Sequence, residues 1–300
     1  MSFLCIDIGA TNTKIGVGAK DFKRTKIIDT AEFLDGALSI LNEFSSSEIE
    51  LYGIASPGPI SEKRSVINPP NLPKKSIDLE DLIPMDPKNY FLINDCNAGA
   101  VGEYVFGNSE ASSFTYISIS SGIGGGLILE GNLINGRNGN YCEIGHITVG
   151  ESQECGCGGR GHWEAYCSGN NLPKLAKDLT GEKFESAKEI FSKFEKRNKK
   201  AVKTIEKMRK YNSKGIANVI NNFNPETIVF GGSVAINHPD EVVKGLEEEI
   251  KNYTLQEELP EINISTLGED SVLYGLLALC KVKKEKKIER FQRAPIIDLK

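Results

Sequence analysis

The stretch FLCIDIGATNTKIGVG, residues 3–18, decides the fold. Apolar residues crowd the run up to Asp7, small residues and hydroxyls fill Gly9–Thr13, and apolar positions resume after Lys14. That pattern predicts a buried strand, a tight turn and a second strand, which is a β-hairpin. A second unit of the same design, FTYISIS, SGIGG and GLILEGN, occupies 114–132. The recurrence predicts two domains of similar topology.

Exposed backbone N–H groups in glycine-rich turns form concavities that hold anions, phosphate above all. The plainer reading is a hairpin that needs glycine for positive φ and binds nothing. Hydroxyls in both turns (Thr11 and Thr13, Ser120 and Ser121) favour phosphate. The chain has no G-x-x-x-x-G-K-[ST], which excludes a P-loop. GIGGG lies between predicted strands instead of opening a helix, which excludes the dinucleotide fingerprint. Asp7, at a strand end beside the first turn, either caps that turn or holds Mg²⁺ against phosphate oxygens.

Further strands are expected at 51–55, 90–93, 227–230 and 261–266, and helices at 95–106, 163–179, 239–252 and 271–280. The longest helical pattern runs from Ser186 to Phe223, with a break expected near Asn212–Gly215. Strands mixed with helices and no repeat array give the α/β class. The proline-rich segment 56–75 reads as a long binding or lid loop.

The 300 residues are 39% apolar and 26% charged, the composition of a soluble globular protein of about two domains. A net charge of −5 argues against nucleic acid as a partner. The basic run KVKKEKKIER, 281–290, reads as a solvated helix end or tail. No signal peptide is evident, and no apolar run reaches the roughly 18 residues that span a bilayer. Cys142, Cys155, Cys157 and Cys167 cluster around ECGCGGRGHWEAYC, 154–167, which reads as metal binding in a cytoplasmic protein instead of disulfides.

The D-x-G-x-T-x-x-K-x-G run at 7–16, followed by a second glycine-rich hairpin, resembles the sugar kinase, actin and Hsp70 superfamily. Within it, NDCNAGAVGEY (94–104), SSGIGGGLILEGNLINGRNGNYCEIGHITV (120–149) and CGCGGRGHWEAYCSG (155–169) resemble the ROK family of sugar kinases and sugar-responsive repressors. The resemblance covers nearly the whole chain and implies two RNase H-like domains of the actin-type ATPase with an interdomain cleft. The expected division is 1–105, completed by 270–300, and 106–269.

The resemblance also assigns residues. Asp95 is implied as the catalytic base, although an Asn-Asp pair before a helix is also an ordinary cap. Asn94, Glu143, His146 and Glu164, with Gly58 and Asn71 in the proline-rich loop, are implied sugar ligands. Asp7, Gly9, Thr11, Asn12, Thr13 and Lys14 in the first turn, and Ser121, Gly122, Gly124 and Gly125 in the second, would hold ATP and Mg²⁺. Gly231, Gly232 and Ser233 resemble an adenosine-contacting turn. ROK kinases usually carry C-x-C-G-x-x-G-C-x-E with a histidine upstream. Here Cys155, Cys157 and Glu164 are in register and His162 stands at the third cysteine position. His146, Cys155, Cys157 and His162 would then make a structural Cys₂His₂ zinc site, since imidazole replaces thiolate in tetrahedral zinc.

The expected activity is ATP-dependent phosphorylation of a hexose, glucose foremost. N-acetylmannosamine, fructose and allose remain alternatives, and ADP or polyphosphate alternative donors. A non-catalytic sugar-binding module or a ROK regulator is the reading from another class. A repressor's DNA-binding segment would precede the first strand, which is predicted from Phe3. A homodimer or homotetramer is expected from the family.

Overall fold

The computed structural model describes residues 2–44, 49–61, 65–67, 69, 72–83, 86–107, 110–286 and 293–295. The opening segment forms β1 (Ser2–Ile8) and β2 (Asn12–Gly18), antiparallel, with Asp7 opposite Lys14. β3 (Phe22–Asp29) extends the sheet beyond β2 as an edge strand. Lys23, Arg24 and Lys26 make it largely exposed, which hides the alternation that would announce it and blunts the edge against further pairing. Asp29 caps α1 (Thr30–Asn42), accepting hydrogen bonds from the Ala31 and Glu32 N–H groups.

β4 (Ile49–Ser56) then runs parallel to β1. β5 (Ser65–Ile67) lies within the proline-rich stretch and pairs antiparallel with β6 (Ser76–Asp78) just after it, and α2 (Leu79–Leu82) follows. β7 (Tyr90–Asn94) is parallel to β4 with Asn94 opposite Ser56, and α3 (Asp95–Phe106) follows at once. The sheet order is β3-β2-β1-β4-β7.

The second sheet contains β8 (Phe114–Ile119), β9 (Ile123–Leu129), β10 (Asn132–Ile134), β11 (Thr227–Gly231) and β12 (Glu261–Ile264). Their order, β10-β9-β8-β11-β12, repeats that of the first sheet, with β13 (Arg293–Pro295) added outside β10. The two hairpins read from the sequence are therefore the equivalent first pairs of two equivalent sheets.

The helices depart from expectation at their breaks. The helix expected over 163–179 is two, α4 (Trp163–Cys167) and α5 (Leu172–Thr180). The long pattern divides into α6 (Ala187–Glu195) and α7 (Lys199–Phe223) at Arg197, whose φ of 57° is left-handed, and α7 runs unbroken through Asn212–Gly215. After α8 (Ser233–Asn237), the helix expected over 239–252 is α9 (Pro239–Val242) and α10 (Glu247–Lys251), with Gly245 at φ 68° between them. α11 (Ser271–Lys286) continues into the basic run. Residues 287–290 of that run lie outside the described residues. Among the described residues no helix is long and apolar enough to cross a membrane.

The chain divides into two compact units. One comprises Met1–Tyr116, Gly126–Cys142 and Glu269–Lys300; the other comprises Ile117–Gly125 and Glu143–Gly268. Relative to the expected split after residue 105, the first unit also takes in 106–116 and Gly126–Cys142. In that unit α3 and α11 meet backbone to backbone. A Cβ on Gly275 would fall 1.7 Å from the Ala98 carbonyl oxygen, and one on Gly102 2.0 Å from that of Ser271. Beside this contact the buried Glu103 carboxylate accepts a 2.6 Å bond from the Ser271 hydroxyl.

In the second unit Trp163 is fully buried, and its indole N–H donates to Asn212 Oδ1 at 2.8 Å. The Asn212 amide in turn donates to the Val242 carbonyl at 2.9 Å. The expected break at 212–215 is thus a seat for the indole. Alanine in a helix interior is ordinarily about 1 kcal/mol better than glycine. At position 215, however, its Cβ would lie 2.2 Å from Trp163 Cδ2, and overpacking of that kind costs about 1–3 kcal/mol. Gly215→Ala is therefore expected to destabilise, seen as a lower urea midpoint at unchanged slope. A stabilised variant would show that the indole moves aside freely.

Candidate active site

In the first unit the Gly9–Asn12 turn is closed by a hydrogen bond from the Gly9 N–H to the Asn12 carbonyl at 3.1 Å. A Cβ on Gly9 would sit 2.7 Å from that oxygen, so the turn requires glycine. Thr30 at the start of α1 braces it: its hydroxyl donates to the Gly9 carbonyl at 2.8 Å, and its N–H to the Thr11 carbonyl at 2.9 Å. Thr13 is fully buried and its hydroxyl lies 3.1 Å from that of Thr30. Thr11 and Asn12 are exposed. Of the turn's two threonines, the structure employs Thr13 as a brace and presents Thr11 to solvent.

Asp7 and Asp95 stand at the carboxyl ends of β1 and β7, two strands that both run parallel to the β4 between them. Crevices at the carboxyl ends of parallel strands are where open α/β sheets bind ligands. Asn94 caps α3, its Oδ1 accepting the Cys96 and Asn97 N–H groups at 2.9 and 3.2 Å, and Asp95 Oδ1 also accepts from Cys96 at 2.8 Å. The cap and the implied base are thus adjacent residues with separate tasks. Lys14 Nζ donates to the Glu269 carbonyl at 2.8 Å and lies 3.3 Å from both Glu269 Oε2 and Asp270 Oδ1. Glu269 and Asp270 carried no motif; the only signal was their position just before an apolar helix.

Desolvation, then the Asp95 charge, raise the Asp7 carboxyl from 3.8 to about 7; Lys14 pulls it down and Asp270 adds to the rise. Asp95 is also raised, chiefly by desolvation, against the hydrogen bond from Cys96.

In the second unit the Ser120–Gly122 turn is closed by the Ser120 N–H on the Gly122 carbonyl at 2.9 Å. Its outer carbonyls are taken by the segment after α4: Gly169 N–H on Ser120 at 2.7 Å and Asn170 N–H on Ser121 at 3.3 Å. Glu164, 7% exposed, accepts the Ile123 N–H on Oε2 at 2.8 Å, while its Oε1 lies 3.9 Å from Cys155 Sγ. One carboxylate therefore joins the glycine turn of Ser121, Gly122, Gly124 and Gly125 to the cysteine cluster. Gly232, at φ 81° between β11 and α8, approaches the end of β8 so closely that a Cβ would fall 2.6 Å from the Ile119 carbonyl oxygen. Gly231, Gly232 and Ser233 thus run from the end of β11 into α8, and β11 is adjacent to the strand that feeds the glycine turn.

The ligand atoms of His146, Cys155, Cys157 and His162 all lie within 4.8 Å of one another. Cys155 Sγ is 3.8 Å from His146 Nδ1, and Cys157 Sγ 3.3 Å from His162 Nδ1. His146 Nε2 points the other way, 3.9 Å from Glu143 Oε2, so its two nitrogens face different tasks. Burial first raises the Cys155 thiol to about 11; a hydrogen bond with the Cys157 backbone works against the rise, while the Cys157 thiol and the Glu164 charge add to it. Burial also lowers the basicity of His162, with His146 beside it contributing. Two thiols and two imidazoles converging in this way fit a tetrahedral soft or borderline cation. Cys142 and Cys167 are buried elsewhere, and His238 is stacked on Phe191 at 3.8 Å. Asn71 lies outside the described residues, and Gly58 lies in the segment that leaves β4.

The ROK family model matches residues 3–283. The chain belongs to the ROK family. It is 31% identical to a glucokinase of Pyrobaculum calidifontis, over 92% of this chain and 94% of that protein. It is also 31% identical to a xylose repressor of Bacillus subtilis, over 76% of this chain and 60% of that one. A crystal structure of a ROK hexokinase from Thermus thermophilus matches with a TM-score of 0.77 at 29% identity, covering 95% of this chain and all of that one. A ROK family glucokinase from Streptomyces griseus, solved in complex with glucose and AMPPNP, matches with a TM-score of 0.77 at 26% identity, over 93% of this chain and 99% of that one. The fold is that of the actin-like ATPases among which the ROK sugar kinases fall.

A carboxyl that holds its proton more tightly in the folded chain contributes stability fully below about pH 4, loses it as pH rises, and contributes none well above its folded value, here about 7. Asparagine does not titrate. The stability of Asp7→Asn relative to the natural chain should therefore climb between about pH 4 and 7 and level off above, in thermal unfolding without magnesium. A difference that stays flat across that window would contradict the raised value.

Proposed function

We propose that the chain transfers the γ-phosphoryl group of ATP to a hexose hydroxyl, with glucose as first acceptor and Asp95 as base. The observation that carries this is the Asp7–Asp95 pair at the carboxyl ends of parallel strands, each carboxyl held more basic than usual by its surroundings. A base whose affinity for protons is raised toward neutrality is matched to accepting one from an alcohol as the phosphoryl group arrives. Asp95 would take the hydroxyl proton on its carboxylate, and Asn94, its Oδ1 spent on the helix cap, would donate from its amide to a sugar oxygen. Glu143 and the Nε2 of His146 would contact sugar hydroxyls, with Glu164 and Gly58 as further contacts. Buried polar groups left unpaired by the wrong epimer would supply discrimination.

The Gly9–Lys14 and Ser121–Gly125 turns would present N–H groups and hydroxyls to the phosphates, and Gly231–Ser233 would meet the adenosine. Magnesium, when bound, neutralises phosphate charge, and a carboxylate such as Asp7 is the hard oxygen donor it takes. His146, Cys155, Cys157 and His162 would hold zinc with no position left for substrate, so its task would be to order the loop between His146 and α4, the helix that carries Glu164. The resemblance to repressors leaves a sugar-binding regulator as the second reading; the two strand-end carboxyls favour the kinase.

A coupled ADP-release assay over glucose, N-acetylmannosamine, fructose and allose tests the activity, and ADP and polyphosphate test the donor. Sugar binding without transfer from any donor would favour the regulator. Asp95→Asn is expected to lower kcat at least about 100-fold, the usual worth of a placed base, with glucose affinity within about tenfold of the natural chain. Retention of a tenth of the activity would remove Asp95 from that role. Elemental analysis should find about one zinc per chain, retained in His162→Cys and lost in His162→Ala. A metal-free chain of equal stability and activity would end the zinc assignment.

A further inference from the structure

Between β10 and Cys142 the chain runs through NGRNGN, residues 135–140, with Gly136 and Gly139 at φ 70° and 88°. The last residue of this loop, Asn140, spends its whole amide on one partner. Its Oδ1 accepts the Ile60 N–H at 2.8 Å and its Nδ2 donates to the Ile60 carbonyl at 2.9 Å. A side chain that satisfies both backbone groups of one residue does what a neighbouring strand would do. On its other side Ile60 bridges Val66, and the Pro59 carbonyl accepts the Ile67 N–H at 2.9 Å. Ile60 is buried, so both groups need these partners.

The loop is anchored in turn to the catalytic helix. Asn97, fully buried in the first turn of α3 two residues after Asp95, donates through Nδ2 to Asn135 Oδ1 at 2.6 Å and to the Gly139 carbonyl at 3.4 Å. The segment Pro57–Ile60 is therefore tied at both ends to the start of α3. Its near end leaves β4 at Ser56, paired with Asn94; its far end is held through Asn140, Gly139 and Asn97. Gly58 lies between the two ties.

We infer that Asn140 is a positioning residue for the acceptor sugar: it holds the Pro57–Ile60 segment at a fixed distance from Asp95. This rests on the kinase reading and on Gly58 as a sugar contact. Asn140 touches neither reactant. Misplacement of a binding segment by a fraction of an ångström weakens the acceptor's hold while leaving the base and the nucleotide turns intact. The signature is a split between kinetic constants.

The test is steady-state kinetics, with sugar binding by calorimetry without nucleotide, on Asn140→Ala and Asn140→Asp. The aspartate retains an acceptor for the Ile60 N–H but sets a carboxylate against the Ile60 carbonyl. Both variants should raise the KM and Kd for the sugar about tenfold, with kcat within about threefold, KM for ATP within about twofold, and zinc content unchanged. An unchanged sugar KM in either folded variant would overturn the inference. So would equal rises for sugar and ATP accompanied by a large fall in Tm, the mark of general loosening. If Asn140→Ala fails to fold, Asn140→Asp decides alone, and its failure to fold would likewise assign Asn140 to the fold instead of the sugar. A natural chain that phosphorylates no sugar would fail the kinase reading itself, a result visible before any variant is made.

Discussion

An indole ring lying against a helical glycine sets the geometry of the second unit. Trp163 occupies the space that any larger residue at 215 would fill, and Asn212 holds its N–H. Its neighbours in sequence are His162 and Glu164, one facing the thiols and the other the Ile123 amide of the glycine turn. With the ring fixed, those two side chains leave the α4 start in fixed directions. A further bond, from the Trp163 backbone N–H to the Ile147 carbonyl, brings in the segment just after His146. Packing, the placement of His162 and the tie of Glu164 to the glycine turn thus follow from one large residue meeting one absent side chain.

The first unit is organised around charge. Burial and then the charge of Asp95 disfavour ionisation of Asp7, and Lys14 is the cation set against that, itself drawn toward Glu269 and Asp270. A fold optimised for stability alone would not place acids there. Local rules are typically broken at sites that do chemistry. The surrounding frame is well made by contrast: Thr30 braces the turn, Asn94 caps the helix, and the α3–α11 backbone contact fixes the element that begins with Asp95.

Asp95 as base and the set His146, Cys155, Cys157 and His162 came from the family resemblance, whereas both hairpins and the strand-end place of Asp7 were legible from period and glycine. β3 was not, since Lys23, Arg24 and Lys26 on an edge strand erase alternation. The break of the long helix was misplaced for a related reason. Asn and Gly at 212–215 are poor helix formers, yet there they accept an indole from a segment some fifty residues earlier, a contact no local window contains. The actual break, at Arg197, uses a residue that rarely adopts a left-handed backbone. Asn140 was equally invisible, because its partner Ile60 is distant in the chain and both lie in segments without period. What a residue does locally can be read; what it receives from elsewhere cannot.

The first unit is assembled from three separated pieces of chain, and the last of them has a long way to come. β1, β4 and α3 leave the ribosome early, whereas α11, whose Cys280 lies against Gly53 of β4 and whose Gly275 meets Ala98 of α3, is made only after the whole second unit. At about 5–20 residues per second the delay is on the order of ten seconds. Through that interval an apolar sheet face and a helix groove stand open, available to a chaperone or to a neighbouring nascent chain. The second unit, whose main piece is the continuous stretch Glu143–Gly268, has no such wait. Vectorial synthesis thus completes the later half of this protein first and closes the earlier half around the final helix.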